Sequence, residues 1–183
     1  MTRPAEPREA PMGTAADIPG PGRAVARAFP ACALGLFAPP VVAHFLPREP
    51  SDGWWPTLIV ILVLLAMFGV VLLDRRRLPR QPRDVDDLRW QGALSSARHH
   101  RGVPEHPGVR LMAARVAYDR VWMFMLFWAL LVGYAGAALT RPDLDWLPGV
   151  GGMLVFSVMA LVRLPAAWAY LRENDAAHPP PPA

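Results

Sequence analysis

Long runs without a charged side chain alternate along this chain with short stretches in which arginine is concentrated. Residues 57–73, TLIVILVLLAMFGVVLL, and 121–139, VWMFMLFWALLVGYAGAAL, carry no charge at all. Extended to Trp54, the first becomes a 20-residue segment. At about 1.5 Å per residue that is enough to cross a hydrocarbon layer about 30 Å thick. A third run, 146–162, WLPGVGGMLVFSVMALV, has the same character and continues to Leu171 if the Arg163 stem reaches an interface. The fourth, 28–47, AFPACALGLFAPPVVAHFLP, is apolar but holds Pro39 and Pro40 near its middle. Two prolines remove backbone donors and predict a kink, so alone this run reads as a span, a re-entrant segment or a signal peptide.

Two turns bear on that choice. LPREPSDGWWP at 46–56 and LTRPDLDWLP at 139–148 share a pattern: Leu46, Arg48 and Asp52 pair without a gap with Leu139, Arg141 and Asp145. One inserted residue then pairs Trp54 with Trp146 and Pro56 with Pro148. At the first offset Arg27 meets Arg120, so each arginine pair encloses twenty residues, a helix about 30 Å long. Since 121–139 reads as a transmembrane helix, its counterpart is expected to be one too. Membrane turns favour interfacial Trp and helix-starting Pro in any case, and convergence or duplication gives the same architecture. The late start of the first run and its lack of a small-residue cleavage site argue against a signal peptide. The expected fold is all-α: a polytopic integral membrane protein of four transmembrane helices arranged as two hairpins, with a partly helical cytoplasmic loop.

Arginine placement sets the expected threading, because basic residues stay on the cytoplasmic side. The N-terminal segment carries Arg3, Arg8, Arg23 and Arg27, residues 74–120 carry eleven arginines, and the end carries Arg163 and Arg172. The two turns hold only Arg48 and Arg141. Both termini and the central loop are therefore expected in the cytoplasm, with the chain in the cell membrane. Trp54, Trp55 and Trp146 would form an outer aromatic belt, and Tyr118, Trp122, Trp168 and Tyr170 an inner one. The expected organisation is a disordered tail, 1–23, with five prolines and three glycines; a first hairpin, 24–73, with helices at 28–47 and 54–73; an Arg-rich loop, 74–117; a second hairpin, 118–172, with helices at 120–140 and 146–171; and a Pro-rich disordered tail, 173–183.

Within the loop, DVDDLRWQGALSSARHHR predicts a short helix capped by Asp84, with Trp90, Leu94 and Ala97 on one face. PGVRLMAARVAYDR places Val109, Met112, Ala113 and Val116 on one side, and is expected to run unbroken into the third membrane helix and pack on the Trp90 helix. Pro165 is expected to kink the last helix and leave AAWAYLRE along the headgroups.

Composition narrows the chemistry. All 19 basic residues are arginine, so neither a Schiff-base lysine nor a phosphate-loop lysine exists. The single cysteine, Cys32, excludes an internal disulfide or a CxxC pair. His99, His100, Glu105 and His106 lie within eight residues but lack metal-ligand spacing and read as solvated loop residues. No Asp or Glu falls inside the four expected spans, and GxxxxGK[ST], HExxH and GxSxG motifs are missing. No catalytic, cofactor or metal residue is therefore assigned. Two other groups stand out. Ala129, Gly133 and Ala137 recur every four residues and suit close helix packing, within the bundle or with a partner. Arg75, Arg76, Arg77, Arg80 and Arg83 follow a membrane helix directly and suit contact with anionic lipid. The function expected is a non-catalytic accessory or assembly subunit, working through helix contacts and the basic loop on the bilayer, another membrane protein or a second copy, and not on nucleic acid. The alternatives are a small oligomeric transporter or channel subunit and, further off, a lipid-modifying enzyme.

Overall fold

The computed structural model describes residues 14–46, 55–80, 82, 85–99, 102–144 and 146–177. Among these residues the chain is helical without a strand: a 3-10 turn at Ala15–Asp17, then α1 (Pro21–Phe45), α2 (Trp55–Arg76), α3 (Asp87–Ala97), α4 (Pro107–Thr140) and α5 (Leu147–Ala176). Three helices are long and apolar enough to cross a membrane: Pro21–Phe45, Pro107–Thr140 and Gly149–Ala176.

Each boundary has a local cause. α1 opens on Pro21, whose fixed φ suits the first helical position, and so starts about two turns before the apolar run. It then continues through Pro30, Pro39 and Pro40 without a break. The cap of α3 is Asp86, whose carboxylate accepts from the Leu88 N–H at 3.2 Å; Asp84, the expected cap, lies outside the described residues. α4 opens on Pro107 behind His106, whose Nδ1 accepts from the Val109 N–H at 3.4 Å. As the spacing predicts, α4 is one helix of 34 residues, about 51 Å long. Its charge-free part, 121–139, accounts for about 29 Å, so residues 107–120 project about 20 Å beyond it.

α4 is the hub. α1 and α5 pack along it, α2 lies on α1, and α3 sits across α4 and α5. Small residues permit the α1 contact: Ala24, Ala28, Ala31 and Gly35 are buried at helical spacing on α1, opposite Ala117, Gly133 and Ala137 of α4. The prolines of α1 explain the position of Gly133. Pro39 and Pro40 have no N–H for the carbonyls of Gly35 and Leu36, four residues earlier. Both freed carbonyls face Gly133. A Cβ there would lie far inside contact distance of the Gly35 oxygen and 3.0 Å from that of Leu36. The Gly133 Cα–H thus points at an orphaned acceptor, a weak bond that a closely packed pair of helices can exploit.

The same core continues to the end where α4 projects. Leu94, Ala97, Val109, Ala113, Ala117, Tyr118, Tyr170 and Leu171 are buried together there. α5 passes Pro165 without ending, so 166–173 is not a surface segment: Ala167, Tyr170, Leu171 and Asn174 turn inward. Burial of those side chains on α3 and α4 offsets the hydrogen bond that the proline removes, and the helix continues past it. The segment 14–20, assigned from composition to a disordered tail, also belongs to this layer. Thr14 donates through N–H and hydroxyl to Asp17 at 2.7 and 3.1 Å. Ala15 and Ile18 are buried, and the Asn174 amide donates to the Ala15 carbonyl at 2.9 Å. The expected inner aromatic belt dissolves for the same reason: Tyr118, Trp122 and Tyr170 are core residues, while Trp168 is exposed.

Candidate functional site

Gly133 and Ala137 are buried and Ala129 is half-buried, and the stripe faces α1 of its own chain. Arg75, Arg76, Arg77 and Arg80 are exposed, and Arg83 lies outside the described residues. His99 is occupied with the Ser95 carbonyl at 3.0 Å, and His106 caps α4. Among the described residues no group of three or more His, Cys, Asp or Glu is arranged to hold a metal ion.

What the structure does bring together is a polar cluster where the apolar runs end. Asp74, on the last turn of α2, is 9% exposed and accepts a 2.6 Å hydrogen bond from the Tyr118 hydroxyl of α4. Arg27 of α1 adjoins the same hydroxyl. One residue along on each helix, Arg75 lies 3.9 Å from Asp119, and the Arg115 guanidinium donates to the Pro79 carbonyl. Arg120 stacks on the Trp90 ring of α3, 5.6 Å from its centroid, and that ring is fixed by its N–H to Asp87 at 2.9 Å. These groups precede the charge-free run that starts at Val121. Burial, then the Asp74 carboxylate, push the Tyr118 hydroxyl above its ordinary pKa, so it stays a neutral donor. Burial also raises the Asp119 carboxyl, with Arg75 and Arg115 opposing. Charge-assisted contacts tie α1, α2 and α4 together, and the Arg120–Trp90 stack joins α3 to α4.

At the opposite end Arg141 does similar work. It is 5% exposed, and its guanidinium donates to the carbonyls of Leu46 at 2.5 Å and Ala43 at 3.4 Å, covering the C-terminus of α1. Its other nitrogens hold Asp143 at 2.7 and 2.8 Å, and the Trp146 N–H donates to the Arg141 carbonyl at 2.8 Å. The guanidinium fork is what allows one residue to reach both partners. Arg141→Ala is therefore expected to lower the thermal midpoint of the purified protein. Arg141→Lys should restore only part of the loss, and Asp143→Asn should cost less than either. A midpoint equal to that of the unsubstituted chain for Arg141→Ala would remove this arginine from the bracing scheme.

Composition counting had missed Asp74, Tyr118 and Arg141. Asp74 reads as the first letter of a basic cluster, DRRRLPRQPR, and Tyr118 as an interfacial aromatic. The available signal was the lone acid within a run of arginines, at a helix end where a charge must be paired if it is buried.

No protein-family model, curated protein or solved structure matches this chain.

Proposed function

We propose that this chain is a four-helix integral protein of the cell membrane, built as two hairpins, with both termini and residues 74–120 in the cytoplasm. α2 supplies the fourth span through its charge-free stretch 57–73. In this reading the protein is a non-catalytic assembly or interaction subunit. The observation that carries it is the continuity of α4: one helix leaves the apolar layer, projects about 20 Å, and is clamped there by α3, the end of α5 and the 14–20 segment. Such a layer moves with the membrane helices and presents an exposed leucine, Leu88 at 75%, on α3. Leu88 is assigned to the contact with a partner chain.

Two measurements test the reading. With Cys32 changed to Ser, single cysteines at Asp52, Ser96, Asp145 and Ala177 are exposed to a membrane-impermeant maleimide in intact cells. Labelling at 52 and 145 alone is expected; protection at 52 would remove the first hairpin. For the role, native mass spectrometry after mild-detergent purification should show a second chain at fixed stoichiometry, lost with Leu88→Glu. A chain that runs alone, or whose complex survives Leu88→Glu, counts against the assembly role.

A further inference from the structure

α4 and α5 run antiparallel and leave a groove of about 350 Å³ between them, lined by Arg120, Met123 and Phe127 from one helix and by Arg163, Met159 and Phe156 from the other. The order of chemistry is the same on both sides. An arginine stands where each charge-free run meets the cytoplasmic layer, a methionine follows about a turn deeper, and a phenylalanine closes the groove seven residues from the arginine, about 10 Å along the helix. The two phenylalanine rings stack across the groove, centroids 5.4 Å apart and 28° from parallel. Arg163 is exposed and Arg120 half-buried, and neither forms an ion pair with a described residue. Two like charges facing one apolar slot repel each other unless an anion lies between them. Asp119, at the rim, has Arg75 as its counter-charge at 3.9 Å, so the mouth keeps a positive excess.

We propose that this groove binds an anionic phospholipid of the cytoplasmic leaflet. Its phosphodiester lies between the Arg120 and Arg163 guanidiniums, and the first part of one acyl chain runs along Met123 and Met159 to the Phe127–Phe156 stack. Guanidinium forks match phosphate oxygens, and methionine adapts to a flexible chain. The Trp90 ring, anchored through Asp87, orients Arg120 from the cytoplasmic side. The exposed arginines after α2 meet lipid as a diffuse surface; this groove fixes one molecule by charge and by shape. The inference rests on the membrane reading above.

The test uses the full chain, delipidated in detergent, with phosphatidylglycerol or phosphatidylcholine of the same acyl chains added and retention followed by native mass spectrometry. A preference of about tenfold or more for phosphatidylglycerol is expected, the factor that one charge-assisted contact supplies. Arg163→Gln, which disturbs no internal contact, should remove about tenfold of that affinity, whereas Arg76→Gln on the exposed cluster should change it by less than about twofold. Met159→Trp, which fills the groove and leaves the charges, should weaken both lipids. Equal retention of the two lipids, or equal effects of Arg163→Gln and Arg76→Gln, would overturn the proposal. So would displacement of the lipid by glycerol phosphate at equal concentration, since a free anion would then suffice. The maleimide pattern is independent of these results, so the topology can hold while the groove fails.

Discussion

Gly133→Ala is expected to destabilise the folded protein by about 2–3 kcal/mol, at the upper end of what one inserted carbon does in a packed core. The new methyl group would occupy the space of the Gly35 carbonyl oxygen and stand 3.0 Å from the Leu36 oxygen and 3.1 Å from Pro39 Cγ. None of these atoms is the end of a flexible side chain, so relief requires α1 and α4 to separate. Separation also breaks the Cα–H contact to an acceptor that Pro39 has left without its intrahelical donor. Gly136, one turn on, supplies the control: a Cβ there meets Pro40 carbons at 3.8 Å, an ordinary contact. Gly136→Ala should be neutral or gain up to about 1 kcal/mol from helix propensity. Thermal midpoints of the two variants in one detergent decide the matter. If both shift alike, the prolines of α1 do not seat on α4 as described.

The same pair shows what a sequence reading reaches and where it stops. Charge-free runs reveal helices of membrane length directly, because no soluble structure requires some twenty consecutive apolar residues. The small-residue period at Ala129, Gly133 and Ala137 marks a packing face for a similar reason. It does not name the helix that packs there. That partner is α1, whose own stripe of Ala24, Ala28, Ala31 and Gly35 is hidden in a segment noticed chiefly for its prolines. Composition also misplaces the polar ends. Residues 14–20 look like tail because they sit in a Pro- and Gly-rich segment, 1–23, yet Ile18 and the Ala15 carbonyl find a buried site that exists only once α5 has passed Pro165 and presented Asn174. Such a site is assembled from residues 159 positions apart, and no local pattern encodes it. Where a contact is local, as with Asp87 and Trp90 three residues apart, one helical turn brings the partners together without long-range help.

Asp74→Ala is expected to be as damaging as any change at the polar boundary, lowering stability by about 3 kcal/mol or more, because it strands what the carboxylate had satisfied. The Tyr118 hydroxyl, on a side chain 1% exposed, would lose its 2.6 Å acceptor, and Arg27 beside it would lose a nearby negative charge. Tyr118→Phe should cost about 1.5–3 kcal/mol, the value of a hydrogen bond to a charged group, since Asp74 keeps Arg27 as a neighbour. The double variant is the informative one. Once Asp74 is gone the hydroxyl is a buried liability, so replacing Tyr118 by Phe in that background should restore part of the loss. The cycle should therefore show the two positions coupled by about 1.5–3 kcal/mol. Simple additivity would mean that the contact carries no energy and that α2 is held to the bundle by its packing on α1 alone. Coupling of that size would instead make Asp74 the residue that fixes where α2 ends against the bundle, and with it the point from which the exposed arginines at 75–77 emerge.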